Sequence, residues 1–227
     1  MTKHLAVSGL LAGFAVALLA ALLQFAVLER GILLAERYET GELQHFGGAG
    51  HDHAAHDHAS APASFCQRQA KTLLTMTITY CGYGILMVAG MALATHFSRK
   101  PSRSEGLLWG LAGFTAFFLA PAQGLPPVLP GVETADLAAS QGWWLLCAVA
   151  TAAGLALLAY GSGLIPRLAA VVLIALPHII GAPHLADFTG VLPPELAAQH
   201  AARSLGVGLA AWVTLGGLAQ YFWTRAA

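Results

Sequence analysis

A segment of eight residues, 51–58, carries four histidines and two aspartates in a chain that is otherwise strongly apolar. Imidazole nitrogens and carboxylate oxygens at this density suit Zn²⁺, Ni²⁺, Co²⁺ or Cu²⁺. Glycine and alanine on both sides allow the chain to fold around an ion. The sequence therefore predicts a metal-binding loop, and its candidate ligands are His51, Asp52, His53, His56, Asp57 and His58.

Three carboxylates follow the first apolar stretch of the chain. Glu29 and Glu36 are seven residues apart and Glu39 follows three residues later, so a helix would place all three on one face. One hypothesis is that this face passes a cation from the loop toward the membrane, with Glu36 and Glu39 as candidate ligands of the pathway. The alternative is that the glutamates form local ion pairs with neighbouring arginines on a solvated helix end.

Two further histidines lie in a short, interrupted apolar stretch. The run Leu176-Pro177-His178-Ile179-Ile180-Gly181-Ala182-Pro183-His184 surrounds them with two prolines and a glycine. Proline frees backbone carbonyls, and an ionisable residue in a broken membrane segment indicates a binding site in transporters. His178 and His184 are therefore candidate pathway residues. The alternative is that His178 bonds a neighbouring helix while His184 lies at the outer interface.

Membrane helices must position these candidates, since 57% of the residues are hydrophobic and 10% are charged, against about 25% charged in soluble domains. Six apolar stretches follow one another: Leu5–Leu28, Leu73–Thr95, Leu107–Leu125, Trp143–Ile165, Leu168–Ala182 and Leu205–Trp223. A crossing needs about 20 residues, and the fifth stretch falls short. We predict an all-α integral membrane protein, a bundle of about six transmembrane helices with five as the alternative. Residues 1–227 form one domain, and residues 43–65 form a flexible His-rich extracytoplasmic loop between helices 1 and 2.

The distribution of charge predicts the orientation of this bundle. Arg99, Lys100 and Arg103 cluster in the link after the second helix, on the side that also holds both chain termini. Basic residues favour the cytoplasmic side. Nearly all acidic residues fall on the opposite side, with Glu105 as the exception, and would concentrate cations there. The termini are thus expected in the cytoplasm and the His-rich loop in the periplasm.

Small residues predict how the helices pack. Gly9 and Gly13, like Gly106 and Gly110, are four residues apart and would allow two helix backbones to approach closely. The three cysteines show no C-x-x-C spacing. They are expected to pack as small apolar residues.

Five motifs, spread from about Ala35 to about Trp212, carry a family resemblance. They are Ala35-Glu36-Arg37-Tyr38-Glu39, the His-rich loop, the link Leu125-Pro126-Pro127-Val128-Leu129-Pro130-Gly131, the run Gln141-Gly142-Trp143-Trp144, and Leu176-Pro177-His178 with Gly181-Ala182-Pro183. Together they resemble CbtA, a family of predicted cobalt transporter subunits. Val128 stands where that family is expected to have an acidic residue, so the resemblance implies no ligand role for this link.

The resemblance implies a multi-pass protein of the bacterial inner membrane that takes up a divalent metal for cobalamin biosynthesis. It also implies a small single-helix partner, CbtB, that carries a metal-binding histidine motif. Cobalt as the substrate rests on the resemblance alone, because such ligands bind nickel and copper at least as well, and zinc is a further alternative. Because the bundle is small, we also expect a homo-oligomer.

Other functions find less support in the sequence. No G-x-x-x-x-G-K-[ST] motif and no nucleophile–base pair are found. We therefore expect no enzyme activity, no organic cofactor and no nucleic acid partner. The main alternative is a non-transporting metal-binding membrane protein, such as a chaperone, a buffer or a resistance factor.

Overall fold

The computed structural model describes residues 2–45, 65–95, 105–186 and 190–226, and the regular secondary structure among these residues is helical, with no strand. The helices are α1 (Thr2–Leu23), α2 (Glu29–Glu39), α3 (Phe65–Ala94), α4 (Glu105–Phe114), α5 (Ala120–Ala122), α6 (Leu137–Tyr160), α7 (Leu164–Ile180) and α8 (Pro194–Ala226). Two π-helical turns, Gln24–Leu28 and Thr115–Leu119, join α1 to α2 and α4 to α5. The prediction of an all-α bundle is confirmed.

Five helical segments are long and apolar enough to cross a membrane. They are Lys3–Glu39, Cys66–Ala94, Glu105–Ala122, Leu137–Tyr160 and Pro194–Arg225. The remaining long helix, α7, has 17 residues and is about 25 Å long. It corresponds to the fifth apolar stretch, which is short, as predicted. Because residues 161–163 alone separate α6 from α7, α7 turns back along α6.

The bundle has two distinct ends. The end of α2 and the described parts of the links after α5 and α7 lie at one end, where Leu129 and Leu192 are buried together with Ala35 of α2. We call this the long-link end. The opposite, terminal end holds the beginning of α1 and the end of α8.

Glycines set the closest helix crossings, as predicted. A side-chain carbon on Gly9 would lie 2.7 Å from Ile85 Cα of α3, and one on Gly110 would lie 2.8 Å from Val213 Cα of α8. Backbones can approach this closely only where side chains are absent. The main core therefore forms where α1 crosses α3 and where α4 crosses α8.

Apolar side chains fill the space between these four helices. Val16, Val88, Met91 and Leu215 are fully buried there. Toward α6, the Trp212 ring stacks on Phe117 with ring centroids 5.3 Å apart. The core is thus shared by α1, α3, α4 and α8.

The two π-helical turns interrupt helices that are otherwise continuous. The Glu29 N–H bonds the carbonyl of Gln24, and the Ala120 N–H bonds that of Thr115. The second turn ends two residues before Pro121, which lacks the N–H that an α-helix would use at that position. The wider turn keeps the helix continuous up to the proline.

The last feature of the fold is the position of α7 at the periphery. Among the described helices it lies against α6 alone. The two helices meet closely at Gly154, where an added side-chain carbon would lie 2.6 Å from Ile174 Cγ1. The remaining faces of α7 are exposed, with Ile165 at 81% and Ile179 at 79%. We refer to α6 and α7 as the α6–α7 hairpin.

Candidate functional site

The His-rich segment lies outside the described residues. The metal-ligand roles of His51, Asp52, His53, His56, Asp57 and His58 therefore stay predictions. Before this segment α2 ends at Glu39, and after it α3 begins at Phe65. What the structure describes is the surface to which the predicted loop is attached.

Two of the α2 carboxylates face α3. The Glu36 carboxylate forms an ion pair with Arg68, and the Glu29 carboxylate accepts a hydrogen bond of 2.5 Å from Gln69 Nε2. The shared face predicted for these two glutamates is confirmed. Their partners lie on another helix, so these contacts also hold α2 against the N-terminal part of α3.

Glu39 occupies a different position, at the exposed end of α2. Within the described part of the chain it makes no hydrogen bond or ion pair. Its Cβ lies 3.1 Å from where a side chain at Gly131 would begin, and Gly131 has φ +79, a conformation that favours glycine. The Pro-rich link thus packs directly against α2 and leaves the Glu39 carboxylate accessible.

The local ion pair weighed for this region is also present. Arg37 Nη2 lies 2.9 Å from the Glu42 carboxylate, just after the helix end. This hydrogen bond from Arg37 lowers the pKa of Glu42. Glu42 is therefore engaged locally, whereas Glu36 bridges two helices.

His178 lies at the interface between α6 and α7, near the long-link end. Its ring meets the edge of Trp143 with centroids 6.0 Å apart, and its Nε2 lies 3.9 Å from Cys147 Sγ. The Trp143 indole donates a hydrogen bond of 3.0 Å to the carbonyl of Pro177. These contacts agree with the alternative in which His178 contacts a neighbouring helix, although the residue as a whole is exposed.

His184 lies in the link after α7. Its side chain is exposed, and Nδ1 lies 3.0 Å from the carbonyl of Leu185. The link begins against the hairpin, where Ala182 packs on Trp143. It ends against α2, because Leu192 is buried with Ala35.

The structure does not bring all the candidates together. Glu36 and Glu39 lie on α2, His178 lies on α7, and these two helices do not contact each other. Within residues 2–45, 65–95, 105–186 and 190–226, no three His, Cys, Asp or Glu side chains meet in a way that could hold a metal ion. The described part of the chain thus offers separate donor groups at the long-link end.

Charged residues divide between the ends of the bundle as the sequence indicates. The terminal end holds three described basic residues, Lys3, Arg167 and Arg225, and one described acidic residue, Glu105. The long-link end holds Glu29, Glu36, Glu39, Glu42, Glu133, Asp136 and Glu195, together with Arg30, Arg37, Arg68, Lys71 and Arg203. The long-link end is therefore the acidic end of the described chain.

A cavity of about 450 Å³ opens near the terminal end between α3, α4 and α6. Met87, Met91 and Trp109 contribute to its apolar lining, and Glu105 is its charged residue. It is separated along the bundle from the acidic long-link end. The cavity contains none of the residues that the sequence singled out for metal binding.

Sequence reasoning missed three residues at the site. Arg68 and Gln69 were not predicted, because their pairing with α2 depends on the register between two helices that the His-rich segment separates in sequence. Cys147 was expected to pack as a small apolar residue, and it is indeed buried beside Trp143, but it also meets His178. A helical plot of α6 would have placed Trp143 and Cys147 on one face, since they are four residues apart.

Taken together, the helices and the polarised charge define a multi-pass helical membrane protein with an acidic end. The chain matches the family model described as "Probable cobalt transporter subunit (CbtA)" over residues 2–224. It therefore belongs to the CbtA family, a family of transporter subunits rather than of enzymes, and this confirms the resemblance found in the sequence. No curated protein and no solved structure matches the chain.

Proposed function

We propose that the chain is the membrane component of a cobalt uptake transporter that supplies cobalamin biosynthesis. The observation that carries the proposal is the family match over residues 2–224, nearly the whole chain. The acidic long-link end supports it, because clustered carboxylates raise the local concentration of a divalent cation. Cobalt is then the substrate of the protein, with nickel, zinc and copper as competing ions.

In this proposal the His-rich segment captures the ion and Glu39 receives it. The supporting observation is distance along the chain, since α2 ends at Glu39, twelve residues before His51. Glu39 is exposed and accessible, so it suits a first acceptor. A flexible loop of single donors also releases an ion more readily than a closed tetrahedral site.

Glu36 then requires an exchange of partners. Its carboxylate is paired with Arg68, and the two side chains are 31% and 40% exposed, respectively. Ion pairs at this exposure contribute about 0–1 kcal/mol, so a divalent cation with two charges can compete with the guanidinium. The Glu36–Arg68 pair would open when an ion arrives and close when it leaves.

The route onward to His178 would follow the link between α7 and α8. This link packs on α2 through Leu192 and on the hairpin through Ala182, and it carries the exposed His184. The described residues of this link, 181–186 and 190–193, thus contact both regions that carry the candidate ligands. His184 and His178 would therefore follow Glu36 and Glu39 in the pathway.

The proposed orientation places the long-link end in the periplasm and both termini in the cytoplasm of a bacterial inner membrane. The basic residues at the terminal end support it. Entry of the ion would then follow the membrane potential, which contributes about 2.3 kcal/mol per charge per 100 mV. A small single-helix CbtB-like partner with its own histidine motif completes the proposed transporter.

Uptake of radioactive cobalt tests this function directly. Cells would express the chain with and without the CbtB-like partner, as wild type, as His178→Ala, and as His4→Ala, a control histidine exposed at the terminal end. We expect uptake by the wild type and the control and its loss in His178→Ala. Absence of uptake in every case, with metal still bound to the purified wild type, would favour a non-transporting metal buffer.

Removal of residues 50–59 separates capture from passage. Without its predicted ligands the transporter should need a higher cobalt concentration for half-maximal uptake but keep a similar maximal rate. The wild type should show the same change as the external pH falls through about 6, because protonated imidazole cannot bind a metal. A half-maximal concentration that does not depend on pH between about 7.5 and 5.5 would argue against capture by the loop.

A further inference from the structure

The contact between α6 and α7 combines two side chains that transition metals prefer. Cys147 is fully buried, and its Sγ lies 3.9 Å from His178 Nε2. Thiolate sulfur and imidazole nitrogen are common ligands of Zn²⁺ and of neighbouring divalent ions. The other two cysteines differ: Cys66 is exposed on α3, and Cys81 Sγ lies against the carbonyl of Leu10.

The distance between the two atoms fits an ion held between them. With metal–sulfur and metal–nitrogen bonds of about 2.3 Å and about 2.0 Å, a tetrahedral ion separates its ligands by about 3.5 Å. A separation of 3.9 Å is also at the outer limit for a hydrogen bond to sulfur. The pair is therefore held weakly together and needs a shift of a few tenths of an ångström to accept an ion.

A third donor lies one helical turn further along α6. Thr151 is 1% exposed, and its hydroxyl has the Cys147 thiol as its neighbour, without a hydrogen bond of normal geometry to it or to any other described residue. A buried hydroxyl without a well-formed hydrogen bond is unfavourable, and a ligand beside it would supply an interaction. Because Thr151 follows Cys147 by four residues, both lie on the same face of the helix.

The surrounding residues fix this geometry. Trp143 bonds the carbonyl of Pro177 and meets the His178 ring edge to face, so it holds the interrupted end of α7 against α6. Cys147 is buried, whereas His178 is exposed. An ion would reach the pair from the side of His178.

We propose that Cys147 and His178 form a two-ligand binding site for a thiophilic divalent transition metal, with Thr151 as a weak third donor. The inference rests on the proposed function only in taking the transported ion as the ligand. On binding, the Cys147 thiol passes its proton to water, and the sulfur and the His178 nitrogen each donate one electron pair to the ion. Two strong ligands leave the remaining positions to water, so the ion can leave again.

Absorption of Co²⁺ by the purified, full-length protein tests the site. A thiolate bound to Co²⁺ gives a strong charge-transfer band in the near ultraviolet, whereas histidine and aspartate ligands of the His-rich segment do not. We expect the band on addition of Co²⁺ to the wild type and to Cys81→Ser, the control thiol. We expect its loss in Cys147→Ser, which changes one atom and preserves the packing.

His178→Ala tests the second ligand. The cobalt concentration needed for half of the band should rise by more than about tenfold, since loss of even an outer-shell partner weakens metal binding by about 10- to 100-fold. A band that persists in Cys147→Ser, or an unchanged concentration in His178→Ala, would overturn the proposal, as would a wild type without the band. Cobalt uptake without the band would contradict this site alone. The band without uptake would contradict the transport function and support the site.

Discussion

The four-helix core and the α6–α7 hairpin are held together by different means. In the core, backbones meet at glycines, and a side-chain carbon on Gly216 would lie 2.7 Å from Gly110 Cα. In the hairpin, α7 touches α6 alone among the described helices, and the contact near its end consists of polar and aromatic side chains. The core is therefore stabilised by close packing among four helices, whereas α7 has a single neighbour among the described helices, on which it packs at Gly154 and through a few directional contacts near its end.

This difference separates the scaffold from the part that can respond to an ion. Packed interfaces of small residues leave little freedom, because any shift creates overlap or voids. A helix attached on one side can move without repacking the core. The candidate residue His178 lies on this singly attached helix, whereas Glu36 lies on α2, outside both the core and the hairpin, and is tied to the core helix α3 through Arg68.

The largest effect should come from filling a glycine crossing in the core. Gly84→Leu would place a side chain directly against the backbone of Gly9, whereas Gly82→Leu on the same helix meets nothing within 4 Å. Overpacking commonly costs about 1–3 kcal/mol and more when backbone must move. We expect Gly84→Leu to lose the folded protein and Gly82→Leu to retain it, measured as yield and melting temperature in detergent. Equal loss in both variants would show that the crossing is not specifically packed.

A smaller effect should follow from loosening the hairpin. Trp143→Phe keeps an aromatic ring but removes the indole N–H that bonds the Pro177 carbonyl, at a cost of about 1 kcal/mol. Hydrogen exchange should become faster in α7 and stay unchanged in α3. Trp144→Phe, which keeps an aromatic ring against Phe117, is the matched control. Faster exchange throughout the bundle would contradict an independently attached α7.

The ion pair between α2 and α3 should matter less for stability than for binding. Arg68→Gln removes the partner of Glu36 and should cost at most about 1 kcal/mol. It should also strengthen cobalt binding by the purified protein, because the carboxylate no longer has a competing cation. Calorimetric titration measures the binding and thermal unfolding measures the stability, each beside Lys71→Gln, a neighbouring basic residue on α3. Weaker cobalt binding in Arg68→Gln alone would exclude Glu36 as a ligand.

The smallest effect concerns the turn after α2, which belongs to neither region. The pKa of Glu42 is lowered by the hydrogen bond from Arg37. The contact is therefore fully present above the ordinary glutamate pKa of about 4.3 and is lost as the pH falls through the lower value of the folded state. The Glu42 carboxyl, followed by NMR, should titrate at a higher pH in Arg37→Gln. An identical titration in both proteins would show that the pair does not persist in solution.

Much of the scaffold can be predicted from the sequence, because local sequence patterns determine it. Apolar length predicts the helices, the spacing of Gly9 and Gly13 predicts a close crossing, and charge predicts which end is acidic. Side-chain pairs between two helices cannot be predicted in this way. The pairing of Glu36 with Arg68 and of Cys147 with His178 depends on the register and tilt of two helices, and a shift of one residue would rotate either side chain by about 100°.

The π-helical turn at Gln24–Leu28 determines which way the α2 glutamates point. In an uninterrupted α-helix, Glu29 and Glu36 would lie about 160° and about 140° around the axis from Gly13, away from α3. The π-helical turn adds one residue to a turn and rotates all that follows back by about 100°. Gly13 and both glutamates thereby meet the same helix, α3. Deleting Ala26 would undo this phase correction and turn the carboxylates away from Arg68 and Gln69 without changing a single charge.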